Sequence, residues 1–222
     1  MRSIVLAGCV AAAVVFAVAG CAANPGASPG TEPTASDSPT APAPPVVTGE
    51  EAQARLADLP MPSAVEPRIA IGTVLEGADG TPMLCLGAVA ESAPPQCAGP
   101  ALAGWDWAAV EHQETSGVRW VQGVAMQATY DAETQTVTQV GDLLDLAAIT
   151  LPAIEHPTGD LDEATIAAVQ EDLMTLDRPD VLGHFGLDGI VVLQVLYDDG
   201  SMQAAVDAIY GEGVVSLESA LR

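Results

Sequence analysis

Only the part of this chain after Val47 can bury a core. Residues 22 to 47 consist almost wholly of Ala, Pro, Ser, Thr and Gly, with hardly a large apolar side chain among them. Such a stretch cannot bury enough apolar surface to offset the entropy of ordering it, so disorder is expected. Its prolines favour extended conformations of about 3.1 Å per residue, which makes it a stalk. Folding is therefore confined to about 170 residues, enough for one α+β domain or two small ones.

What precedes the stalk reads as an export signal. Arg2 supplies a positive start and Ile4 to Ala19 an apolar run of signal-peptide length. A membrane span needs about 20 apolar residues, so the run is short for one. It ends in Val18-Ala19-Gly20-Cys21, an apolar residue, two small ones and a cysteine. That is the pattern of a bacterial lipoprotein, cleaved after residue 20 and lipidated on Cys21. One acyl chain holds a protein only marginally, and a diacylglyceryl group on Cys21 meets the need for more than one. An ordinary cleaved signal and an uncleaved anchor are the alternatives. The expected location is the extracytoplasmic face of the cell membrane, with membrane contact through the anchor alone.

Charge narrows the partners. Six arginines and no lysine stand against thirty acidic residues, for a net charge of −24. Nucleic-acid binding depends on cationic side chains that release counterions from phosphates, so nucleic acid is excluded as a partner. The acidity suits solubility and cationic partners. Cys9 is lost with the signal, which leaves Cys85 and Cys97 as a pair in an exported domain. Such a pair reads as a disulfide. A metal alternative lacks a Cys-x-x-Cys or a nearby His.

Patterning divides the folded region into residues 48–150 and 151–222. Thr48 with Glu51 forms a capping-box pattern ahead of a short helix through Leu59, with Leu56 and Leu59 on its apolar side. Ile69 to Glu76 alternates as a strand, Met83 to Leu86 follows as another, and Gly87 to Gly104 is a loop. Trp120, Val124, Met126, Ala128 and Tyr130 lie on one face at period two, before a further strand over Gln135–Val140. This half predicts a small antiparallel barrel or curved sheet; an oligonucleotide-binding type of barrel fits the shape, and the charge opposes that function. In the second half, Asp160 followed by Glu163 caps a helix with Ile166, Val169, Leu173 and Leu176 at helical spacing. Gly189–Tyr197 is an apolar, central strand. A second helix turns Met202, Val206, Ile209 and Tyr210 inward, Gly211 ends it, and Val214–Leu217 is a last strand. Strand, helix and strand in that order predict an α/β unit, and the fold class is α+β.

The run from Cys85 through Pro94-Pro95-Gln96-Cys97 to Gly99-Pro100, followed by Gly104-Trp105-Asp106-Trp107, resembles a family of exported, often lipid-anchored actinobacterial proteins of uncharacterised function. Its signature is CLG-x-V-x-E-S-x-PPQC-x-GP with a GW-x-W turn. The likeness extends to Val124–Tyr130 and to the tail from Tyr210 to Leu221. Where the family has an aromatic residue this chain has Ala93. The resemblance implies an extracytoplasmic domain and carries over no catalytic residue.

Four side chains are candidates to face a ligand. Glu91 and Gln96 lie inside the Cys85–Cys97 loop, where the alternative role is to satisfy backbone donors. Trp105 and Trp107 share a face in extended chain as a stacking platform, or else seal a small core. Asp160, Asp162 and Glu163, or Asp198 and Asp199, lack the spacing of a calcium loop, and helix capping accounts for them. His112, His156 and His184 share no site-building spacing. No cofactor or metal is implied, and no nucleophile elbow, zincin helix or phosphate loop occurs. The functional expectation is a cell-surface lipoprotein that presents a non-enzymatic binding domain to an envelope protein or glycan. A small hydrolase using carboxylates is the alternative, and it requires two carboxylates about 5–10 Å apart in one pocket.

Overall fold

A computed structural model describes residues 45–222; the signal peptide, Cys21 and all but the last three residues of the expected stalk lie outside the described residues. Helix α1 spans Glu50–Leu56 and buries Ala52 and Leu56, with Leu59 buried just beyond it. Its cap departs from expectation. Gly49, not Thr48, holds the cap position at φ 81°, a conformation that a threonine rarely adopts. The Gly49 N–H donates to both oxygens of the buried Asp172 carboxylate, at 3.0 Å each, and the Gln53 amide joins at 2.9 Å.

Six strands follow: β1 (Ala64–Glu76), β2 (Pro82–Cys85), β3 (Ala101–Ala103), β4 (Gln113–Thr115), β5 (Val118–Asp131) and β6 (Thr136–Leu144). Five of them close a barrel in the order β1-β2-β3-β6-β5, because the long β1 pairs with β2 on one side and β5 on the other. All pairings are antiparallel except β3 with β6. A Cβ on Gly72 would collide with the Cys85 carbonyl, so this glycine lets β1 bend where it passes from one partner to the next. Val124, Met126, Ala128 and Tyr130 point into the barrel as their alternation predicts. Trp120 is buried too, but it joins Leu75 and Cys85 in a separate small cluster. Strand β4 carries no apolar alternation and was not foreseen; it forms a hairpin with β5 through Ser116 and Gly117, both at positive φ.

The second half contains α2 (Glu163–Leu173), β7 (Val181–Leu187), β8 (Ile190–Val195), α3 (Ser201–Tyr210) and β9 (Val215–Ser219). Asp162, not Asp160, caps α2 by accepting the Thr165 N–H at 2.8 Å. The predicted α/β unit is present: β8 and β9 are parallel and connected by α3, whose Met202, Val206, Ile209 and Tyr210 are all buried. Strand β8 is central, in the order β7-β8-β9. Strand β7 was missed, since Val181-Leu182-Gly183-His184-Phe185-Gly186-Leu187 shows no alternation and contains two glycines.

Packing crosses the boundary between the halves. Helix α1, first in sequence, buries its apolar face with α2, β8 and α3, and Val46 and Val47 of the expected stalk pack there too. In return, Leu196 and Leu221 sit in the barrel core, and Arg222 exchanges backbone hydrogen bonds with Ile69 of β1. The described residues, 45–222, form one compact unit.

Candidate functional site

The Cys85–Cys97 disulfide is present, with Cα atoms 6.0 Å apart. Cys85 ends β2 and is buried, so the bond pins the following loop to the barrel wall. Inside the loop, the Ala90 N–H donates to the Gln96 carbonyl at 2.8 Å, and the Ser92 hydroxyl to the Pro94 carbonyl at 2.8 Å. The Ala93–Pro94 peptide is cis. Two limbs leave this staple, Gly87-Ala88 and Ala98-Gly99. With Gln135, Asp177, Arg178, Pro179, Val181 and Leu182 they line an open cleft of about 470 Å³. A Cβ on Gly99 would collide with the Leu84 carbonyl, and one on Gly87 would press on Leu182. The limbs lie this close to their neighbours only because they are glycine.

The far wall is held by Arg178. Its guanidinium is bidentate to Asp180 at 3.0 and 2.7 Å, and it donates to the carbonyls of Leu59 (2.6 Å) and Pro60 (2.9 Å). Asp180 is 1% exposed, so this pair is an internal strut joining the α1–β1 connection to the small sheet. Beneath it the Tyr130 hydroxyl is pushed up to about 12, by burial first and then by the Asp180 charge, with Arg178 opposing. The cleft therefore offers the Asp177 carboxylate, the Gln135 amide and main-chain groups, while its one cation is already committed.

The candidate residues distribute unevenly over this geometry. Cys85 and Cys97 do not line the cleft themselves but tie together the two limbs, Gly87-Ala88 and Ala98-Gly99, that do. Glu91 and Gln96 are exposed on the same loop but do not line the cleft, and Gln96 holds the loop through its main chain. Trp107 is not ligand-facing: it is 8% exposed, and its Nε1 donates to the buried Glu76 carboxylate at 2.7 Å. Arg119 pairs with the same carboxylate and lies over the Trp107 ring at 5.2 Å. Trp105 is half-buried and meets Trp107 edge to face, 5.4 Å between centroids at 84°. No flat stacking platform exists, because Trp107 opens a 3-10 turn that rotates its ring out of the plane an extended chain would share. The two tryptophans seal one end of the barrel.

The acids behave as structural caps. Asp131, Asp162 and Asp199 are held below the usual carboxylate range by hydrogen bonds at the turn or helix start that each one closes. Asp198 accepts the N–H groups of Met202 and Gln203 at the start of α3. Among the described residues no group of three His, Cys, Asp or Glu is placed to hold a metal. Among the described residues, the cleft and three further surface depressions are each lined by a single carboxylate side chain: Asp177 in the cleft, and Glu218, Asp131 and Glu111 in the others. His156 is half-buried beside Ser216 Oγ (3.3 Å) and Glu218 (3.5 Å), and it pins the segment before α2 to β9.

The Arg178–Asp180 strut and the Glu76–Arg119–Trp107 cluster escaped the sequence reading. Their signal was the scarcity of cations: in a chain this acidic each internal arginine has many carboxylates to choose from, and only tertiary distance selects one. Comparison of the chain with family models, curated proteins and solved structures gives no match.

Proposed function

We propose that this chain is a lipid-anchored protein of the extracytoplasmic membrane face that presents a non-enzymatic binding domain. The observation that carries the reading is the cleft walled by a disulfide-pinned loop, a fixed concave surface of ligand-accommodating size. Support for the location comes from Val18-Ala19-Gly20-Cys21 and from a disulfide, which persists in oxidising compartments. Attachment through Cys21 is supported by the Val18-Ala19-Gly20-Cys21 pattern; among the described residues no helix is long and apolar enough to cross a membrane. The partner is an envelope protein or glycan.

The test uses the full chain in detergent as bait against solubilised envelope, with a Cys85→Ser/Cys97→Ser variant as control and mass analysis of the mature N-terminus. A diacylglyceryl mass on Cys21 and a partner retained by the oxidised chain but lost by the variant are expected. An unmodified Cys21, or an empty capture from verified folded chain, would overturn the proposal. Opening the disulfide is expected to cost ~3 kcal/mol on the chain-entropy account.

A further inference from the structure

An unpaired strand edge offers a row of N–H and C=O groups to any extended chain, and proteins normally shorten, charge or cover such edges. Among the described residues the three sheet edges are treated differently. Strand β4 is three residues long, fully exposed, with Glu114 at its centre. Strand β9 is covered: the Gln203 amide on α3 donates to the Val215 carbonyl and accepts the Leu217 N–H, both at 2.9 Å, in the place of a neighbouring strand. Strand β7 has neither protection. It is seven residues long and contains no charged residue and no proline, in a chain of net charge −24.

The direction of its free groups follows from the turn. Asp188 and Gly189 form a two-residue hairpin loop with φ 44° and 77°, flanked by the pair Leu187 and Ile190. Such a loop makes the flanking residues a hydrogen-bonded pair, and bonded and non-bonded pairs then alternate along the ladder. Phe185 and Val192 are the next bonded pair, so the main-chain groups of Gly186 and His184 point away from β8. The same alternation turns the Val191 N–H of β8 toward the other neighbour, where it bonds the Val214 carbonyl at 2.9 Å. Among the described residues no group takes the outward N–H and C=O of His184 and Gly186. Phe185 and Gly186 are exposed, and Val181 and Leu182 at the start of β7 already line the cleft beside the stapled loop.

We propose that the free edge of β7 takes up an extended, basic peptide segment of another envelope protein as a fourth strand, which continues into the cleft. Main-chain hydrogen bonds give affinity in such strand addition, and side-chain pockets give specificity. Asp177 near one end of β7 and Asp188 at the other call for basic residues in the incoming strand. The same charges disfavour a second copy, since antiparallel β7 pairing brings Asp188 of one chain toward the Asp177 end of the other. The inference rests on the binding reading above and names its partner class.

The experiment follows amide exchange of the full chain in detergent with two probes: an octapeptide of alternating Arg and Val, and the same peptide N-methylated at every backbone amide, which removes the donors of both its edges. The first is expected to slow exchange of the His184 and Gly186 amides at least tenfold, and the N-methylated peptide to leave them unchanged. Phe185→Lys should abolish this protection while the chain still melts cooperatively; His184→Pro deletes an outward donor and should abolish the protection that remains to be read, at the Gly186 amide. Equal effects of the two peptides, or protection that rises with protein concentration alone, would overturn the proposal. If the octapeptide leaves β7 unprotected while envelope capture still depends on the disulfide, strand addition falls and the binding reading stands. If both fail, both fall.

Discussion

Tyr130 shows how one hydroxyl carries a pH dependence. It is 2% exposed and has one partner, the Met61 sulfur at 3.7 Å. Between the ordinary tyrosine value of 10 and about 12, the folded chain keeps a proton that the unfolded chain releases. Its contribution to stability is therefore complete below pH 10 and is lost as pH rises through that window. A shift of this size corresponds to ~2–3 kcal/mol. Tyr130→Phe should cost less than about 1 kcal/mol at pH 7, where only a sulfur contact is lost. It should overtake the native chain by pH 11.5, as measured by urea unfolding across that range. A difference that stays constant with pH would rule this account out. The inward position of Tyr130 was legible in the period-two pattern; its charged neighbours were not, because Arg178 and Asp180 lie some fifty residues further along the chain.

Elements that pack by a repeating stripe could be read, and those that pack by exception could not. Helix α3 and strand β8 were placed from their apolar spacing, and β5 from its alternation. Strand β7 has no stripe because one face lies under α2, where a Cβ on Gly186 would collide with Ile166. The connection from α1 into β1 is likewise set by one distant side chain, Arg178. Replacing it with Met leaves Asp180 buried without a counter-charge and two carbonyls without a donor, at a cost of about 3–5 kcal/mol. The double variant Arg178→Met/Asp180→Leu removes the stranded charge and should recover part of that loss in thermal and urea unfolding. A double variant less stable than the single one would show that the strut contributes through something other than its charge balance.

At the scale of the molecule, a net charge of −24 opposes compaction by self-repulsion. Raising sodium chloride from 0.02 to 0.5 M (concentrations chosen to take the screening length from about 20 Å to about 4 Å) should raise the melting temperature. A fall would mean that attractive pairs such as Glu76–Arg119 outweigh the repulsion. Composition and periodicity by themselves determined the α+β class, the disulfide pair and the inward faces of α3 and β5. These are local properties, set by which side chains neighbour one another along a helix or a strand. Tertiary structure alone decided that β1 closes the barrel by pairing on both sides, that α1 joins the second core, and that Trp107 seals while a cleft opens beside the stapled loop. Each of these depends on contacts between residues far apart in the chain, which compete only once both partners are folded and near.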